Sequence, residues 1–286
     1  MPCLPLPHVV AIMPPMPRHP LNACLDVAAR VAQQAGRLQA KYAGRPKTID
    51  TKRSAIDLVT EVDRASEKMI HRAIMARFPD HGFQGEEATR TNPDSPYRWI
   101  VDPLDGTTNF VHGMPMFGVS IGLRYHDELL VGVIYDPMRR ELFTAMKGSG
   151  ARLNGKRIRV SRTNSMATSL LSTGFSLAFR KTPQMYLEWL TRFEAATHAV
   201  RRMGSTAMSL AYLASGRQDG FYEKDLWPWD IAAGILLVRE AGGRVTDFDG
   251  VEARVGTEQS RLVASNGLIH GDMLKILNSS SKQLRC

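Results

Sequence analysis

Between Leu21 and Tyr42, apolar residues recur at Leu21, Cys24, Leu25, Ala28, Val31, Ala32, Ala35 and Leu38. Steps of three and four place them on one stripe of an amphipathic helix. A loop rich in Lys, Arg and Gly follows. Thr60 then reads as an N-cap with Asp63 three residues on, opening a second helix that Pro79 stops after Phe78. Next the period shortens. Arg98 to Val101 reads as a buried strand, Phe117 to Arg124 and Leu129 to Asp136 as longer strands, and Glu141 to Ala145 as another. Turns fall at His126-Asp127 and Asp136-Pro137, and Asn154-Gly155 marks a hairpin. The middle of the chain is thus expected to form a meandering, largely antiparallel sheet.

After Ser169 the elements alternate. A strand from Ser169 to Gly174 precedes helices over Pro183 to Thr197 and Ser205 to Ser215. A strand from Gly220 to Glu223, a helix from Asp230 to Ala241, strands from Gly243 to Phe248 and Leu262 to Ala264, and a final helix complete the pattern. This order predicts an α+β fold, a layered sandwich of two mixed or antiparallel sheets with helices between and outside them.

The first twenty residues carry seven prolines and resemble neither a helix nor a signal peptide. Residues 1–20 are expected to be a disordered extension, with Met13 or Met16 as alternative starts. Residues 21–280 are expected to form one domain and residues 281–286 a tail. With 43% hydrophobic and 23% charged residues the 286-residue chain is an ordinary globular one. No apolar run approaches the roughly 18 residues that a membrane span needs. Cys3, Cys24 and Cys286 are too few and too scattered for a disulfide framework, which suits a reducing cytoplasm. A net charge of +9 would attract nucleic acid, anionic lipid or an anionic small substrate. The basic residues are spread along the chain without a run of five, which reads as a solvated basic surface.

The chemistry concentrates in a few segments. In Trp99-Ile100-Val101-Asp102-Pro103-Leu104-Asp105-Gly106-Thr107-Thr108, an apolar strand runs into two carboxylates three apart. Gly106 then lets backbone approach a ligand, and Thr107 and Thr108 offer hydroxyl and N–H donors to an anion. Alone, the segment also reads as a polar turn. A calcium loop would need Glu where Gly113 stands, and a P-loop would need a hydroxyl where Arg157 follows Gly155-Lys156. Glu86-Glu87 and Asp57 to Asp63 add carboxylates that alone read as a solvated face or a helix cap. Asp230 is flanked by Trp229 and an Ala-rich helix, residues expected to be buried, and a buried carboxylate must be paired, hydrogen-bonded or metal-bound.

Gly85-Glu86-Glu87, the Asp102 to Thr107 segment and Trp229-Asp230-Ile231-Ala232-Ala233-Gly234, in that order, resemble the inositol monophosphatase family over roughly Leu21 to Leu277. Arg201 to Ser205 and Val238 to Gly243 look closest to its bacterial, extragenic suppressor branch. The resemblance implies hydrolysis of inositol monophosphate by lithium-sensitive dimers with two or three Mg²⁺ ions. Glu86, Asp102, Asp105, Asp230 and the carbonyl of Leu104 would be the ligands, a set of hard oxygen donors suited to that ion. It also implies that Asp63 and Thr107 activate the attacking water with Lys52 nearby, that Gly106 and Thr107 bind phosphate, and that Gly204, Ser205 and Glu223 contact the polyol. Thr206 stands where relatives often have Ala. Fructose-1,6-bisphosphate, a nucleotide 3'-phosphate or histidinol phosphate are alternative substrates, with specificity assigned to Phe175–Thr182 and Lys224–Trp227. A regulatory role in ribosomal RNA transcription, through RNA or the transcription machinery, is the alternative of another class.

Overall fold

The computed structural model describes residues 20–45, 48–51, 58–256 and 258–279. The expected N-terminal extension through His19, Lys52, Asp57 and the tail 281–286 lie outside them.

Helix α1 (Leu21–Tyr42) buries the striped face that its spacing predicts, from Cys24 to Ala35. A short hairpin, β1 (Ile49–Thr51) and β2 (Leu58–Thr60), leads into α2 (Glu61–Arg77). A capping box starts α2. The Thr60 hydroxyl accepts from the N–H of Val62 and Asp63, and the Asp63 carboxylate accepts from the N–H of Thr60.

The chain continues through β3 (Gly82–Gly85), β4 (Arg90–Thr91), β5 (Tyr97–Asp105) and the five-residue α3 (Thr107–Val111). Strands β6 (Gly118–Tyr125), β7 (Glu128–Asp136), β8 (Glu141–Met146), β9 (Gly150–Leu153) and β10 (Lys156–Arg157) follow as a meander. The C-terminal part comprises β11 (Leu170–Thr173), α4 (Pro183–Ala196), β12 (Ala199–Arg202), α5 (Thr206–Ala214), β13 (Gly220–Leu226), α6 (Pro228–Glu240), β14 (Arg244–Thr246), β15 (Ser260–Ser265) and α7 (His270–Asn278).

Two sheets result. The larger has the order β10-β9-β8-β7-β6-β5-β3-β4 and the smaller β12-β11-β13-β15-β14. The meander is antiparallel as expected, but β3 joins β5 in parallel, and β11 is parallel to both neighbours. Alternation along the strands explains the layering. Val101, Val131 and Val133 face α1 and α2, whereas Ile100 and Ile134 face α5 and α6. In the smaller sheet Phe221, Leu262 and Ala264 meet α5 and α6 from the other side, while Tyr222 and Val263 pack with Phe193 of α4 and Met273 of α7. The molecule is an αβαβα sandwich, and α5 and α6, lying between two apolar sheet faces, are buried nearly all round. Among the described residues no helix is long and apolar enough to cross a membrane.

The strand expected over Arg98–Val101 continues to Asp105, although Pro103 has no N–H for the ladder. Its pairing with β6 slips there: Asp102 is opposite Ser120 and Asp105 opposite Gly118, three steps against two. Proline is tolerated at such a bulge. In a regular strand, residues three apart project to opposite faces. The extra residue returns Asp105 to the side of Asp102. The buried amide of Gln39 in α1 donates to the carbonyl of Pro103 at 2.6 Å, satisfying a group in the distorted segment.

Candidate functional site

Four carboxylates from four positions in the fold meet at the end of β5. Asp102 and Asp105 flank the bulge. Glu86 follows β3, whose parallel pairing with β5 sets it beside Val101, the carbonyl that accepts the Glu86 N–H at 3.0 Å. Asp230 lies in the first turn of α6, where its carboxylate caps the N–H of Trp227 at 2.7 Å. Its neighbours Trp229 and Ile231 are buried as expected, and Asp230 itself is largely buried, with partial access to a cleft at whose rim the helix begins.

Electrostatics records this proximity. Burial raises the Asp102 carboxyl well above the usual range, and the charges of Glu86, Asp105 and Asp230 push it the same way. Asp230 is raised by burial, then by Glu86 and Asp105. Asp105 is lifted to about 6 by burial, against the opposing hydrogen bonds of Ser205 and Ala207. The Glu86 carboxyl beside Asp102 is the largest of the neighbouring charges that raise it. Such a cluster is relieved by protons or by a cation.

No three His, Cys, Asp or Glu side chains among the described residues stand in a finished metal-binding arrangement. Protein donors hold several of the oxygens. Asp102 Oδ1 accepts the Leu104 N–H at 2.9 Å, and Asp105 Oδ2 accepts the Ser205 hydroxyl and the Ala207 N–H. The chemistry of the set still fits magnesium: carboxylate and carbonyl oxygens, no nitrogen or sulfur, and anionic crowding that a hard cation removes.

Asp63, fully buried, is fixed on one oxygen by the α2 cap, and its other oxygen accepts the Thr107 hydroxyl at 3.1 Å. The same hydroxyl is 3.1 Å from the carbonyl of Leu104. Gly106 adopts φ +90°, a left-handed conformation that glycine permits and a β-carbon would bring 2.9 Å from the carbonyl of Met116. The turn starts α3, whose first N–H groups have no acceptor within the helix.

Across the site, Ser205 caps α5 and Thr206 donates to Glu223 at 3.0 Å. Glu223 is buried and its carboxyl is raised to about 8, chiefly by desolvation. Asp105, Thr206 and Glu223 form a wall between two clefts of about 420 Å³ each. One is lined by Glu86, Asp230, Lys181 and Gln259, the other by Gly204, Ser205, Arg202 and Phe175. Every expected site residue except Lys52 therefore falls within one region.

Sequence reasoning missed three supporting residues. Glu67 of α2 accepts the N–H groups of Glu87 and Thr89 at 2.8 and 3.1 Å and so shapes the loop that presents Glu86. Asn109 ties the carbonyls of Met116 and Met203 at 2.7 and 2.9 Å, closing the turn before Gly204. Gln39 holds the bulge. The available signal was a carboxylate four residues after Asp63 on the apolar stripe of α2.

Fold and site define an αβαβα sandwich with an acidic cleft at the end of its principal sheet. Comparison with known proteins narrows this further. The inositol monophosphatase family model matches residues 21–282. The Nus factor SuhB of Pseudomonas aeruginosa is 43% identical over 252 residues, 86% of this chain and 92% of the relative. That of Escherichia coli K12 is 44% identical over 234 residues, 81% and 86% of the two chains. The solved inositol monophosphatase from Anabaena superposes with a TM-score of 0.81 at 40% identity, covering 90% of this chain and 96% of that one. The extragenic suppressor protein suhB from Bartonella henselae gives 0.83 at 39%, covering 90% and 99%. The chain belongs to the inositol monophosphatase family.

Proposed function

We propose that the chain is a magnesium-dependent phosphatase of small phosphate monoesters, with inositol monophosphate as substrate. The observation that carries this reading is the convergence of Glu86, Asp102, Asp105 and Asp230 at the end of β5, beside a buried Asp63–Thr107 pair. Glu86, Asp102, Asp105, Asp230 and the carbonyl of Leu104 would hold two or three Mg²⁺ ions. Bound there, the metal would supply Lewis-acid stabilisation of charge on the phosphoryl and leaving-group oxygens.

The remaining steps belong to the protein. Thr107 Oγ1 takes the proton of the attacking water as its own passes to Asp63 Oδ1. The α2 cap keeps that oxygen aimed at Thr107, because the other is committed to Thr60. The N–H groups of Gly106 and Thr107 bind phosphate, and Gly204, Ser205 and Glu223 receive the polyol hydroxyls. Lys181, exposed at the rim, attracts the dianionic substrate. Positioning and charge stabilisation are demanded in quantity, since enzymes accelerate phosphate monoester hydrolysis by up to ~10²¹-fold.

Phosphate release from inositol monophosphate, fructose-1,6-bisphosphate, a nucleotide 3'-phosphate and histidinol phosphate, each with Mg²⁺ and with chelator, tests the reading. Selective, Mg²⁺-dependent and lithium-inhibited turnover of the first supports it, and no turnover of any substrate overturns it. The protein acts on this reading as a cytoplasmic homodimer.

The names of the SuhB relatives favour a second reading, a part in the transcription machinery. It is compatible with catalysis. Binding of the catalytically dead Asp102→Asn protein to transcription complexes separates the two.

A further inference from the structure

The excess positive charge has an address. Residues 142–187 contain eight Lys and Arg and no Asp or Glu, against +9 for the whole chain. Although the basic residues are spread along the sequence, their countercharges are missing from this one stretch. Its centre is the outer edge of the larger sheet. Arg152, Lys156 and Arg157 lie on the β9–β10 hairpin, Arg159 and Arg162 continue from it, and all five are exposed. Arg140, also exposed, sits against the hairpin turn, its carbonyl bonded to Asn154.

The nearby acids make their hydrogen bonds and ion pairs with groups other than the strip's cations. Glu141 forms two 2.6 Å contacts with Arg217, Asp136 pairs with Arg139, Asp219 accepts from Ser161 and the Leu170 N–H, and Glu240 accepts the N–H groups of Gly148 and Gly150. Among the described residues no ion pair therefore joins an acid to a cation of the arginine-rich strip. None of the exposed large hydrophobics lies within it, so it offers a bilayer nothing to insert and a protein partner no apolar centre. Five of its six cations are Arg, whose planar fork matches phosphate oxygens. The hairpin is the rim of an eight-stranded sheet and not a free two-stranded ribbon of the kind that enters the DNA major groove.

We propose that the β9–β10 edge and the segment through Arg162 bind the phosphate backbone of single-stranded RNA, independently of sequence. RNA exposes single strands routinely and a flexible strand can follow this edge. The lack of exposed aromatics leaves backbone contacts as the source of affinity. The strip is five strands from β5, about 24 Å at the usual spacing of ~4.8 Å. It is thus separate from the acidic cleft, so the proposal does not depend on the phosphatase reading, and it would give the transcription reading a contact surface.

The test is fluorescence anisotropy of a labelled 20-nucleotide polyuridylate with full-length protein from 50 to 200 mM KCl. Five phosphate contacts give a slope of log K against log salt of about −3.5. The triple variant Lys156→Ala, Arg159→Ala, Arg162→Ala should bind at least tenfold more weakly at 50 mM KCl, with a slope shallower by about 2. Phosphatase turnover and circular dichroism, unchanged, show that it is folded. A control triple on α1, Arg30→Ala, Arg37→Ala, Lys41→Ala, removes equal exposed charge and should bind as wild type. Three outcomes overturn the proposal: an unchanged slope in the edge variant, an equal loss in the α1 variant, or displacement of RNA by polyglutamate at equal charge concentration. The last would assign the strip to acidic protein instead. Aggregation of the edge variant with unaltered RNA affinity would show that the charges only guard an open sheet edge, which also overturns it.

Discussion

Thr206 donates its hydroxyl to Glu223 Oε2 across 3.0 Å. On the opposite side the carboxylate fills the space that a side chain at Gly174 would occupy, since a β-carbon there would lie 2.1 Å from Oε1. With its carboxyl raised to about 8, Glu223 is largely neutral near pH 7, and a hydrogen bond between neutral groups contributes about 0.5–1.5 kcal/mol. Thr206→Val should therefore reduce kcat/KM for inositol monophosphate by up to about tenfold, mainly through KM. Turnover of p-nitrophenyl phosphate, which has no polyol to recognise, should change little, and Thr206→Ser should retain most activity. Equal losses on both substrates would assign Thr206 to the reaction centre rather than to the polyol.

Asp102 is buried at the centre of the acidic crowd. Asp102→Asn removes one charge and preserves shape, so phosphate release should fall by at least ~10³-fold while thermal stability in chelator matches or exceeds wild type. A ligand that binds only the folded state stabilises it by ~2.7 kcal/mol at 100 times its Kd. Saturating Mg²⁺ should raise the wild-type Tm by about 5–10 °C and leave the variant nearly unmoved. Scanning calorimetry with and without Mg²⁺ reads both effects, and an equal rise in both proteins would remove Asp102 from the ligand set.

Glu67 accepts the N–H groups of Glu87 and Thr89 and so shapes the turn that carries Glu86. Glu67→Ala leaves the N–H groups of Glu87 and Thr89 without this acceptor, at about 1–3 kcal/mol each if they stay dry. The Mg²⁺ concentration for half-maximal turnover should increase about tenfold and the Tm should drop by several degrees. Glu67→Gln keeps an acceptor oxygen and should fall between. A Tm loss with an unchanged Mg²⁺ requirement would make Glu67 structural only.

His270 is buried in the smaller sheet's outer layer, bonded to Thr246 and Ser265 at 2.9 Å each, with Arg244 as the neighbouring charge. Burial, then Arg244, lowers its pKa from 6.5 to about 4. The folded state thus binds a proton less readily than the unfolded chain. The stability from neutral His270 is complete above about pH 6.5 and is lost as pH falls towards 4. His270→Gln should be less stable at pH 7.5 but should lose less stability between pH 6.5 and 4. Parallel melting curves for the two proteins across that range would contradict the assignment.

Local signals made much of this architecture readable. The stripe of α1, the Thr60–Asp63 cap and the strand alternation depend on neighbours a few residues apart. Other features depend on distant partners. Pro103 looks like a strand terminator until β6 is seen to supply two residues against three. The four-residue β3 and two-residue β4 carry too little pattern to declare themselves, and β3 exists because β5 lies beside it. Asp102, Asp105 and Asp230 were recognisable because carboxylates interrupt apolar segments. Glu67 was hidden because it occupies a core-facing helical position where an apolar residue would pass unnoticed.

The bulge in β5 has a consequence for how this chain can vary. Most active sites are assembled from loops that can gain or lose a residue and adjust. Here the interval between Asp102 and Asp105 is counted by a hydrogen-bond ladder clamped on both sides, so one inserted or deleted residue at Pro103 or Leu104 would rotate Asp105 into the neighbouring layer. Length at this point is more tightly constrained than side-chain identity.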